Sequence, residues 1–82
     1  MATDKSIHDH INELIGEEHD LRSRRERGEI DRDEERRRLN DIEVSLDQAW
    51  DLLRQRKAKR DAGEDPNEAS VRSADVVEKY LD

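Results

Sequence analysis

Three histidines, His8, His10 and His19, lie in a segment crowded with carboxylates, the combination from which divalent-metal sites are built. A bundle that holds metals in its core uses Glu-x-x-His on facing helices. Here the residues three before each histidine are Lys5, Ile7 and Gly16, so that spacing is missing. Glu18 with His10 and Glu17 could still bind a divalent ion across a dimer axis, giving a metal-binding helical bundle. The competing reading makes Glu18 a polar residue that fixes helix register, bonded to an arginine or to the Trp50 indole. That reading is preferred, and no metal or other cofactor is expected.

Nucleophilic catalysis has little to work with. Thr3, Ser6, Ser23, Ser45, Ser70 and Ser73 supply hydroxyls, there is no cysteine, and the three glycines at 16, 28 and 63 are too isolated to form a phosphate-binding loop. Paired acid chemistry needs a cleft that raises one carboxyl pKa, and ligand pockets need preformed concave walls. No catalytic residues are expected, and the protein is read as a non-enzyme. Arg54, Arg56, Lys57, Lys59 and Arg60 form a basic cluster that invites a nucleic-acid reading, as an accessory factor on a nucleic-acid machine. The net charge of -7 and the lack of interleaved aromatic residues argue against it.

These side chains have to be positioned by a chain of 82 residues that is 48% charged and 30% hydrophobic. Its 5 Ile, 7 Leu and 4 Val are sparse enough to approach the composition of disordered chains, so periodicity decides whether it folds. Ile7, Ile11, Leu14 and Leu21 recur at helical spacing, with Glu18 in the same stripe, and predict an amphipathic helix over about 5–27. Thr3, Asp4 or Ser6 can cap its start, and Gly28 suits its left-handed end. A turn over 28–31 follows. Asp31 with Glu34 resembles a capping box for a second helix, about 32–61, whose Leu39, Ile42, Leu46, Ala49 and Leu53 keep a 3,4,3,4 spacing.

Folding the chain back at Ile30 sets Ile7 opposite Leu53, Ile11 opposite Ala49, Leu14 opposite Leu46, Glu18 opposite Ile42 and Leu21 opposite Leu39. The same register faces Arg25 with Glu35, His10 with Trp50 and Asp4 with Arg56. It also lays residues 1–20, net -5, beside residues 54–60, net +5. The fold class is therefore all-α, an antiparallel helical hairpin. Ile15, Trp50 and Leu52 flank the seam and widen the apolar face beyond what one partner helix covers, which predicts a homodimeric four-helix bundle.

After a loop over 62–72, in which Asp65 caps a turn begun by Pro66, Ser73 opens a short helix over about 74–81. Its Val76, Val77, Tyr80 and Leu81 share a face. The whole chain reads as one helical domain. Trp50, Arg54, Arg56, Lys57, Arg60 and Tyr80 form a candidate interaction surface, with Trp50 packed beneath the last helix as the competing reading. No apolar run reaches the length of a membrane span or signal peptide, and the absence of cysteine fits a reducing cytoplasm. The expectation is a cytoplasmic homodimer that binds another protein.

Three sequence features carry a family resemblance: Glu17-Glu18-His19, the run Leu46-Asp47-Gln48-Ala49-Trp50-Asp51-Leu52-Leu53-Arg54-Gln55-Arg56, and a tail running from Ala62-Gly63-Glu64-Asp65-Pro66 through Val71-Arg72 to Val77-Glu78-Lys79-Tyr80-Leu81. On these the chain resembles a small actinobacterial family, the domain of unknown function numbered twenty-six-thirty. The resemblance implies a bacterial, cytoplasmic protein and brings no established activity or functional residues with it.

Overall fold

The computed structural model describes residues 3–81, with side chains described for 3–77. The first helix, α1, spans Asp4–Glu26 and the second, α2, spans Arg32–Asp61. A one-turn 3₁₀ segment, Pro66–Glu68, and a last helix, α3, Ala74–Leu81, complete the order. No strand occurs among the described residues.

Each helix end is fixed by local chemistry. Thr3 and Ser6 form a reciprocal capping box: the Thr3 hydroxyl accepts from the Ser6 amide at 3.0 Å, and the Ser6 hydroxyl accepts from the Thr3 amide at 2.8 Å. Asp31 caps α2 through the Glu34 amide at 2.8 Å, but the second half of that box does not form. The Glu34 carboxylate instead accepts from Arg38 one turn on, at 2.6 Å. Both long helices stop in the same way. Gly28 (φ 75°) and Gly63 (φ 76°) take the left-handed conformation. The amides of Glu29 and Glu64 then reach back to the carbonyls of Arg24 and Lys59, at 2.9 and 2.7 Å.

The hairpin buries two apolar clusters. Ile7, Ile11, Ala49 and Leu52 form one, with Leu46, Leu53 and Ala69 packed against it. Leu14, Leu21 and Ile42 form the other, packed against Ile30, Leu39 and Leu46. Leu46 touches both and joins them. These memberships agree with the antiparallel register read from the sequence, with two departures. Leu52 is covered within the protomer rather than left for a second chain, because Ala69 and the segment after α2 fold back over that side. Arg25 does not pair with Glu35: its Nε is buried with no hydrogen-bond partner among the described residues.

Candidate protein-interaction site

The charged end of the hairpin is closed by Asp4, in the first turn of α1. Its carboxylate accepts from Arg56 Nε at 2.6 Å and pairs with Arg60 Nη2 at 3.0 Å. These two guanidiniums hold the Asp4 carboxyl below the ordinary carboxylate range. Arg56 also donates to the Pro66 carbonyl and to Asn67 Oδ1, both at 3.2 Å, so one guanidinium ties α1, α2 and the following loop together.

At 7% exposure Arg56 is a buried tie, which corrects its placement on an interaction surface. The rest of the basic cluster is also engaged. Lys57 pairs with Asp61 at 2.8 Å, lowering the Asp61 pKa, and Lys59 reaches Glu64 at 3.4 Å. Arg54 lies 3.9 Å from Asp51.

Asp51 is a functional residue that spacing alone does not single out. It lies beside Trp50 in the sequence and one turn before Arg54, yet it is only 1% exposed. Arg72 grips it with both arms of its fork: Nε donates to Oδ2 at 2.8 Å, and Nη2 donates to Oδ1. Gln55 adds a third donor to Oδ2 at 2.9 Å. The Arg72 bonds, helped by Gln55 and Arg54, keep the Asp51 carboxyl below its ordinary range although burial alone would raise it.

Two glutamines complete the attachment. Gln55 donates to the Ser70 carbonyl at 2.8 Å, and Gln48 donates to the Arg72 carbonyl at 3.2 Å. Val77, 0% exposed, follows one turn into α3. Residues 65–77 therefore form a strap along α2, and Gln48, Asp51, Gln55 and Arg56 all belong to the run that carries the family resemblance. The available signal was their 3–4 spacing together with Arg72, the arginine of the tail; nothing in spacing alone says that Asp51 points inward.

Trp50 lies on a different side. Its ring meets the edge of His8, with centroids 6.0 Å apart and planes at 79°, rather than His10 as the register had suggested. His10 instead lines a cavity of about 290 Å³ with Ser45, Gln48 and Val71. Trp50 remains 43% exposed and Ile15, two turns along α1 from His8, 49% exposed. Glu18 is half-buried in the seam and forms an ion pair with Arg22, one turn along the same helix, at 3.5 Å. The Tyr80 side chain lies outside the described residues. Among the described residues no group of three His, Asp or Glu side chains is placed to hold a metal ion, and no helix is long and apolar enough to cross a membrane.

An all-α hairpin carrying a strapped C-terminal segment is the class that this geometry defines. The family described as "Protein of unknown function (DUF2630)" matches residues 3–82, and the chain belongs to it. The uncharacterized protein Rv0898c of Mycobacterium tuberculosis and the uncharacterized protein Mb0922c of Mycobacterium bovis are each 51% identical to it over 78 residues, covering 95% of this chain and 90% of theirs. No solved structure matches the chain.

Proposed function

We propose that the protein works by binding rather than catalysis, as a homodimeric module that presents a helical surface to another protein. The observation that carries this reading is the side of the hairpin holding Ile15 and Trp50. The strap covers the Leu52 side, while these two large apolar residues stay half open among the described residues, with the His8 ring edge-on to Trp50. A hairpin with one covered side and one open side lacks the enclosed core of a four-helix bundle, and a second hairpin would supply it.

Sedimentation equilibrium tests this directly. The expected species has twice the 9.7 kDa chain mass at micromolar concentration. A single 9.7 kDa species up to millimolar concentration removes the homodimer from the account. A native pull-down with and without nuclease then addresses the wider partner: a nuclease-resistant protein supports the binding-module reading. Recovery only of nucleoprotein components that are lost on digestion returns the basic cluster to consideration.

A further inference from the structure

On the homodimer reading just given, we propose that the second copy docks on one defined face of α2, antiparallel, about a two-fold axis that passes between Leu39 and Glu43, level with positions 41–42. Arg36 of each copy then pairs with Asp47 of the other.

The face follows from helical spacing. Arg32, Arg36, Leu39, Glu43, Leu46 and Trp50 recur every three to four residues and so share one side of α2. The His8–Trp50 contact puts His8, and Ile15 two turns on, along the same side of the hairpin. Ile15 falls level with Ser45, four residues on from Ile11 as Ser45 is four back from Ala49, because the helices are antiparallel. The exposed Ile15 and Trp50 thus bracket a common surface with half-buried Leu39 and Leu46. On its Arg32 side lies an open concavity of about 410 Å³ lined by Arg32, Glu35, Arg36, Leu39, Asn40 and Glu43.

Charge selects a second copy as the occupant. Arg32, Arg36, Glu43 and Asp47 are among the charged residues of the hairpin that form no ion pair among the described residues, as is Glu35 beside them. Arg36 stands toward the hairpin turn on this face and Asp47 about three turns further on, with Glu35 between the two arginines at the turn end. Arg36 and Asp47 are 11 residues apart on one straight helix, roughly 16 Å at 1.5 Å per residue, too far to pair within a chain. Turned end for end about residues 41–42, Arg36 of each copy comes level with Asp47 of the other.

Arg36 and Asp47 project from the same flank of α2, and in an antiparallel pair like flanks face each other. The same rotation brings Trp50 beside the partner's Arg32, an arrangement suited to cation–π contact, and draws Ile15, Leu39 and Leu46 toward the axis. About 20 residues of each α2 overlap, roughly 30 Å of helix. The molecule is 51 Å long, which leaves ample room for the roughly 800 Å² per partner that stable interfaces bury.

Charge exchange and distance measurement test the face together. Arg36→Glu or Asp47→Arg alone should raise the dimer dissociation constant about tenfold, equivalent to about 1.4 kcal/mol, with helicity by circular dichroism unchanged. The double variant should recover most of the loss, because the exchanged charges meet across the axis. A nitroxide at Asn40→Cys should give a short intradimer distance, set by an interaxial spacing of about 8–10 Å plus the label arms. One at Ala62→Cys should give a distance on the order of 60 Å.

A wild-type chain that stays monomeric defeats the homodimer reading itself. A wild-type dimer that is indifferent to both single changes, or not restored by the double change, or that gives similar distances at both labels, overturns this face while leaving the dimer standing.

Discussion

The hairpin and the strap are attached to the same helix by opposite means. Between α1 and α2 the contact is a stripe of aliphatic residues, cheap to specify and tolerant of small shifts, with polar bonds confined to the ends. Between α2 and residues 65–77 the contact is mostly directional. Asp51 and Arg56 are buried charges, each satisfied by several bonds, while Gln48 and Gln55 hold backbone carbonyls, and Val77 and Ala69 are the main apolar contributions. Aliphatic burial makes the hairpin stable, whereas charge-assisted bonds give the strap one position and make its attachment depend on a few atoms.

The largest effect that separates the two regions is expected in the seam. Leu46→Asp sets a carboxylate between both apolar clusters and should cost more than about 4 kcal/mol, at the exceptional end for one substitution. For a domain of this size that is most of its stability. Circular dichroism should show loss of helicity in the whole chain together with loss of the dimer, and a helical monomer would remove the obligate link between folding and dimerisation.

Acid should act on the strap instead. The Asp51 pKa lies below its ordinary value in the folded state, so its pairing stabilises the fold above about pH 4 and that stabilisation is lost as pH falls through the lowered value. Asp4 follows the same sign at the hairpin's open end. Amide signals of residues 65–77 should therefore hold at about pH 4 and shift as pH falls through the lowered Asp51 value, while those of 11–21 in the aliphatic seam persist to still lower pH. Simultaneous change would mean that the two regions are one cooperative unit.

The smallest effect is a gain. An added Cβ at Gly16 meets nothing within 4 Å, so Gly16→Ala should stabilise α1 by about 0.5–1 kcal/mol. A few degrees in thermal midpoint is the expected readout. A loss would show that Gly16 is in close contact with another chain.

How much of this was legible in the sequence divides along the same line. Ile7, Ile11, Leu14 and Leu21 against Ile42, Leu46 and Ala49 announce the hairpin and its register, because a helical face repeats and repetition is visible in a single chain. Asp4 with Arg56 was legible for the same reason, as an extension of that register. The Asp51–Arg72 pair was not, because it joins one position of a helix to one position of an irregular segment 21 residues later, and no period links them. The inward turn of Asp51 is fixed by where the strap crosses α2, which depends on Gly63 and on the loop's hydrogen bonds. Trp50 shows a smaller failure of the same kind: helix phase put it at the correct edge, but the side-chain lean that selects His8 over His10 lies below what spacing resolves.

The contrast between the two attachments is tested most directly by hydrogen exchange on the Arg72→Ala chain. Removing that guanidinium leaves the Asp51 carboxylate buried without its main partner, a change of about 3–5 kcal/mol for a buried pair, relieved only if the strap lifts and water reaches Asp51. Protection is predicted to fall across residues 65–77 while the amides of 7–21 and 39–53 keep theirs. Equal loss of protection through both helices would contradict the account, since it would make the strap part of what holds the hairpin together.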